Sequence, residues 1–187
     1  GMRASATNGP GHPSGTLITS NHPIAVTVSD DSVLNGACWD MMGDQIIPAS
    51  LAGEEHIAVK GNLSGPDKVY LVATEDGTSV TVNGNLVTGL TLNTGETFSH
   101  NLTGTAGYYE TSAPVIALHL TGFGCEVGQA ILPPISCTGS NEVAFVRSTS
   151  EFFGIKIIVP SGGEGDFLLN GSAANVGTGV FSDVPGT

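Results

Sequence analysis

The sequence predicts an all-β fold, an internally duplicated antiparallel β-sandwich with a pseudo-two-fold repeat; a propeller-like or barrel arrangement is the alternative. Three observations predict it. Short apolar or alternating runs follow one another along the chain with turn residues between them, and no window longer than about 10 residues keeps helical spacing. Gly is abundant, at 27 of 187 residues, beside many Thr, Ser, Val and Asn, a mix that suits strands joined by tight turns. A shift of 87 residues brings Cys38 onto Cys125 and Asn83-Gly84 onto Asn170-Gly171.

The elements follow in order. Residues 1–15 are rich in Gly, Pro, Ser and Asn, carry no periodicity and read as a linker or frayed arm. Gly1-Met2 reads as a tag-cleavage scar, so the lack of a leader says nothing about secretion. Strands are expected at Thr16–Ser20, Ile24–Ser29, Gln45–Pro48, His56–Lys60, Val69–Thr74, Ser79–Val82, Leu86–Leu92 and Thr97–Leu102. A second series is expected at Gly107–Thr111, Val115–Thr121, Ala130–Leu132, Val143–Arg147, Phe153–Val159, Asp166–Leu169 and Asn175–Phe181. Asp76-Gly77 and Asn83-Gly84 supply the positive φ angles of two-residue turns, so Val69 to Leu92 reads as a three-stranded meander.

The 87-residue register extends to Glu55 with Glu142, Lys60 with Arg147, Val59 with Val146, Leu71 with Ile158, Val72 with Val159, Val80 with Phe167 and Val82 with Leu169. Upstream the offset drifts to 91 or 92, pairing Thr19-Ser20 and Pro23 with Thr111-Ser112 and Pro114. Gln45-Ile46-Ile47-Pro48 resembles Gln129-Ala130-Ile131-Leu132-Pro133. Loop insertions produce such small drifts. The expected organisation is a first β repeat over 16–104 and a second over 105–187, in one compact domain. Lys60 and Arg147 each end an apolar strand, where each is expected to snorkel or to pair with a strand carboxylate, Glu55 or Glu142.

Charge narrows the partners. Five basic residues stand against 17 acidic ones, giving a formal net charge of −12. Phosphate binding needs clustered Lys and Arg, so nucleic acid is excluded as a partner. No apolar run approaches the ~20 residues of a membrane span, so no membrane insertion is expected. Cys38, Cys125 and Cys137 form no CxxC pair, which argues against zinc. They are disulfide candidates: Cys125 with Cys137 across one loop, or Cys38 with Cys125, or all three remaining buried thiols.

Candidate binding residues cluster around one segment. Trp39 is the only tryptophan, and it lies among Asp30, Asp31, Asp40 and Asp44. Exposed, Trp39 beside Asp40 suits sugar stacking or a protein hot spot. The favoured expectation is the other one, burial beside a disulfide. Paired carboxylates can run glycoside hydrolysis, but a solvated acidic loop is the expectation here, and no calcium-loop spacing is present. The histidines His12, His22, His56, His100 and His119 show no metal-ligand spacing, and no serine-nucleophile elbow occurs. No catalytic residue, metal or cofactor is assigned.

The stretches ITSNHPIAV, CWDMMGDQIIPAS, KVYLVATEDGTSVTVNG, LTLNTGETFSHNLTG, ETSAPVIAL, CEVGQAILPP and FLLNG, in that order, resemble the IgGFc-binding protein N-terminal domain family. The resemblance runs from about Thr16 to Gly171. Members occur in large mammalian mucus proteins and in bacterial surface or secreted proteins, and the chain looks like a bacterial member. The resemblance implies an extracellular or cell-surface adhesion module, part of a larger multidomain protein, that binds a host or matrix protein or glycan without catalysis. It does not carry over IgG binding. A structural spacer in a larger adhesin and a carbohydrate-active enzyme on a β-sandwich are the alternatives.

Overall fold

Alternation builds the central strands. In DKVYLVA, Asp67, Val69, Leu71 and Ala73 point inward and the residues between them point out or lie half-buried, the period of two that a one-sided sheet requires. The computed structural model describes residues 14–35, 38–146, 150–151, 154–169, 172–173 and 181–187. Within them the strands are β1 (Thr27–Asn35), β2 (Cys38–Gln45), β3 (Gly53–Val59), β4 (Asn62–Leu63), β5 (Asp67–Ala73), β6 (Val80–Val82), β7 (Asn85–Leu86), β8 (Thr97–Leu102), β9 (Ala106–Gly124), β10 (Glu126–Leu132), β11 (Leu168–Leu169) and β12 (Ser172–Ala173).

The long strand β9 organises the main sheet. Glu110 lies between Glu55 of β3 and Thr81 of β6. Val115 lies between Gly53 of β3 and Ala73 of β5, and Ala117 between Leu71 of β5 and Leu132 of β10. The first part of β9 therefore completes the row β7-β6-β9-β3, and the second part the row β8-β5-β9-β10. Pro114 sits where the partners change. Lacking an N–H, it suits a break in the ladder, and its carbonyl accepts from both the N–H and the hydroxyl of Thr74. Apart from the short parallel pair β4–β9, the sheet is antiparallel. Residues from both rows, among them Ala58, Val69, Leu71, Val80, Leu102, Tyr109 and Val115, form one apolar core.

The chain divides into two compact units, Gly1–Gly139 with Val184–Thr187, and Ser140–Asp183. β9 and β10 belong to the first, so the boundary falls inside the 105–187 span. In the second unit β11 pairs with β12, and Phe167 stacks on Phe181.

The elements differ from the sequence expectation at identifiable places. Asn83 and Gly84 both adopt positive φ and join β6 to β7, as an Asn-Gly turn should. The Asp76-Gly77 turn does not make a hairpin of β5 and β6, because β9 inserts between them. The three-stranded meander is therefore corrected to one β6–β7 hairpin. Gly107–Thr111 and Val115–Thr121 fuse into β9. Thr16–Ser20, Val143–Val146 and 154–159 carry no strand, and of Gln45–Pro48 only Gln45 does, as the last residue of β2. Arg147 and most of Asn175–Phe181 lie outside the described residues. Lys60 donates to the Leu63 carbonyl (3.4 Å), and Glu55 instead accepts from the Tyr108 hydroxyl (2.6 Å).

Candidate functional site

The segment holding the candidate residues is a two-stranded ribbon. β1 and β2 pair from Thr27↔Gln45 to Asn35↔Cys38, with a register shift between Asp30 and Val33. Asp30 lies opposite Met42, Asp40 opposite Val33 and Trp39 opposite Leu34. Asp31 lies at the shift in β1.

Three attachments fix the ribbon beside β10. Cys38 is joined to Cys125 by a disulfide with Cα atoms 5.7 Å apart, within the normal range. Cys137 is free and exposed. The Val127 N–H donates to Asp40 Oδ2 (2.9 Å) and the Ile131 N–H to Asp44 Oδ2 (3.0 Å). Asp40 to Asp44 and Val127 to Ile131 are equal steps along two strands running the same way, so both bonds form in one register. The carboxylates thus cover edge amides of β10, a common way of blocking an open strand edge.

This arrangement decides where Trp39 goes. Burial alternates along β2, with Cys38, Asp40, Met42 and Asp44 turned in. Trp39 and Met41 share the opposite face and are 66 % and 79 % exposed. The expected burial of Trp39 beside a disulfide is therefore corrected. The disulfide is adjacent, but strand parity puts the indole on the outside. Glu126 lies close to the two cysteines, but their sulfurs are bonded to each other and offer no thiolate to a metal.

A second polar cluster lies inside the core. Asp67 and His119 are buried, and Asp67 Oδ2 accepts from His119 Nε2 (2.9 Å) and from the Gly61 N–H (2.8 Å). His100 Nδ1 meets the Tyr109 hydroxyl at 2.9 Å. His56 is buried, and neither ring nitrogen has a partner among the described residues. Burial pushes His56 down to about 4 and holds His100 below the usual histidine value. It also lowers His119, outweighing the opposing pull of Asp67. Burial raises the Tyr109 hydroxyl, with the Asp67 charge adding to it. It raises Tyr108 too, helped by the bond to Glu55. Sealed from solvent, the Asp67–His119 pair cannot reach a substrate; Asp67 Oδ2 satisfies the His119 ring and the Gly61 N–H, while Asp67 Oδ1 has no partner among the described residues.

Sequence spacing gave no sign of this cluster, since Asp67 and His119 are 52 residues apart. Strand parity was the available signal. Asp67 shares a face with Val69, Leu71 and Ala73, and His119 with Val115 and Ala117.

Residues 7–185 match the family model described as IgGFc binding protein. The chain belongs to the IgGFc-binding family. No curated protein and no solved structure matches it. The IgGFc-binding family is a binding family. Of the residues singled out, the structure turns Trp39 to the surface, spends Asp40 on a backbone amide and leaves Asp30 at an exposed position on β1. No helix among the described residues is long and apolar enough to cross a membrane.

Proposed function

We propose that the chain is a non-catalytic, extracellular or cell-surface binding module whose contact face is the outer side of β2. The observation that carries this is Trp39, exposed beside Met41 on a ribbon held by a disulfide and two carboxylate–amide bonds. A rigid, exposed aromatic loses little freedom on binding and can contribute ~2–3 kcal/mol when covered. The disulfide supports an oxidising compartment. The engagement of Asp40 and Asp44 by backbone amides weighs against a glycosidase reading.

The partner is a host or matrix protein or a glycan. Glycan arrays and pull-downs from matrix proteins should yield a ligand whose binding is lost in Trp39→Ala with the unfolding transition unchanged. Binding that survives Trp39→Ala overturns this face as the site. Reducing-sugar release lost in Asp40→Asn would favour the enzyme, and no binding at all the spacer.

We also propose that the chain is duplicated, with halves at 16–104 and 105–187. Local parallels support this. The β1–β2 hairpin and the β9–β10 hairpin are each followed by a proline, Pro48 or Pro134, that caps a one-turn 3-10 helix, Ala49–Leu51 or Ile135–Cys137. The attachments Cys38–Cys125, Asp40–Val127 and Asp44–Ile131 all join residues 87 apart.

A further inference from the structure

Three exposed side chains form a row on the side of the ribbon that carries Trp39. The links Cys38–Cys125, Asp40–Val127 and Asp44–Ile131 share one register, so Trp39 of β2 stands level with Glu126 of β10. Exposure alternates in phase along the two strands: Trp39, Met41, Glu126 and Gly128 are exposed, while Asp40 and Val127 are half-buried. Glu126 lies directly opposite Phe123 of β9, and residues directly opposite share a face. Phe123 is exposed like Trp39. A Glu126 carboxylate oxygen lies within 4.8 Å of both disulfide sulfurs, which keeps its charge at the level of the indole. The row therefore runs Trp39, Glu126, Phe123, a carboxylate between two aromatic side chains.

The surroundings are acidic and hold no competing cation. β1, β2 and β10 carry Asp30, Asp31, Asp40, Asp44 and Glu126, and neither they nor β9 carries Lys or Arg. The backbone amides that hold Asp40 and Asp44 are neutral and leave the carboxylate charges in place. Lys60 and Lys68 are the only basic residues between positions 14 and 139. Lys60 is half-buried and donates to the Leu63 carbonyl. Lys68 pairs with Leu120, an odd number of residues before Phe123, so it projects from the other face of the sheet. Among the described residues Glu126 makes no ion pair.

We infer that this row binds a basic segment of a partner protein, with one arginine guanidinium seated between Trp39 and Phe123 and paired with Glu126. The inference rests on the binding face proposed above and adds the chemistry of its ligand. A cation gains from an aromatic face and from a carboxylate at the same place. Arg fits better than Lys, because a planar guanidinium stacks on the indole while its edge donates to the carboxylate. Sulfated and sialylated glycans are repelled by the same carboxylates. A neutral sugar can stack on Trp39 but gains nothing from the charge beside it.

Trp39 is the only tryptophan, so its emission reports contact directly. A peptide of alternating Gly and Arg should change that emission saturably, and a matched peptide of Gly and Gln should not. Anisotropy of the labelled Arg peptide then compares variants that each replace an exposed side chain, with thermal melts to verify folding. Trp39→Leu keeps an apolar side chain without the indole face and should weaken binding about tenfold. Glu126→Gln should weaken it about fivefold, and Phe123→Ala about threefold. Glu75→Gln removes the same charge from the exposed turn after β5, at the Val115 end of the β5–β9 pairing, and should leave binding unchanged. Equal binding of the Gln peptide overturns the inference. So does equal weakening by Glu75→Gln and Glu126→Gln, which would show attraction to net charge alone. A neutral glycan whose binding is lost in Trp39→Ala, on a chain that does not take the Arg peptide, overturns the inference and leaves the face standing. Arg-peptide binding that survives Trp39→Ala overturns the inference and counts against the face as well.

Discussion

Lowering the pH from 7 to 5 protonates His56 in the unfolded chain well before it does so in the folded one. The unfolded imidazole titrates near 6.5, and the buried one is pushed down to about 4 by loss of solvent. Between those values the unfolded state binds more protons, so stability falls as pH falls; above about 6.5 the contribution is fully present. The full difference corresponds to about 3 kcal/mol, of which about 2 kcal/mol is lost between pH 7 and pH 5. For a chain of this size that lowers Tm by about 5 °C. His100 and His119 are also held below their ordinary value and add to the slope, so the comparison must be with a variant. His56→Leu removes two ring nitrogens that have no partner among the described residues and fills similar space. It should match or exceed the parent by about 1 kcal/mol at pH 7. It should also lose about 2 kcal/mol less between pH 7 and pH 5. Urea titrations of both proteins at the two pH values measure this. Equal slopes for parent and variant would show that His56 is not the buried neutral group described here.

Other perturbations have similarly definite outcomes. Replacing Cys38 and Cys125 together by Ala should cost up to about 4–5 kcal/mol, since the bond closes a long loop; denaturant midpoints with and without reductant check it. Asp44→Ala frees the Ile131 amide and should cost about 1–2 kcal/mol, and hydrogen exchange at Ile131 should accelerate more than at Val127, which Asp40 still holds. Asn83→Ala loses the bond from the Tyr108 N–H to Asn83 Oδ1 and places a Cβ branch poorly suited to positive φ. It should lower stability by about 1–2 kcal/mol in thermal melts.

Strands with apolar/polar alternation were readable from sequence. β8 has the expected bounds, Thr97–Leu102, and β5 and β3 lie within a few residues of theirs. β2 was read as a loop because its inward positions include Asp40 and Asp44, which breaks the pattern that alternation relies on. Those carboxylates face inward only because amides of β10 await them, a tertiary fact with no local trace. The same strand parity that hid β2 put Trp39 outside. The β5–β6 pairing was misjudged because turn chemistry fixes a reversal of the chain, whereas β9, arriving from about 30 residues later, decides which strands become neighbours. Three cysteines left several pairings open, and only the position of the ribbon selects Cys38 with Cys125.

The Cys38–Cys125 bond also governs how the module carries tension. β3 to β9 lie wholly between its two ends. A pull applied before Cys38 and after Cys125 passes through the sulfur–sulfur link and leaves that stretch unloaded. About 300 Å of contour is thereby withheld from extension. Under such a pull the chain would keep its length here, and its β3–β9 framework would remain folded at forces that stretch an uncrosslinked sheet.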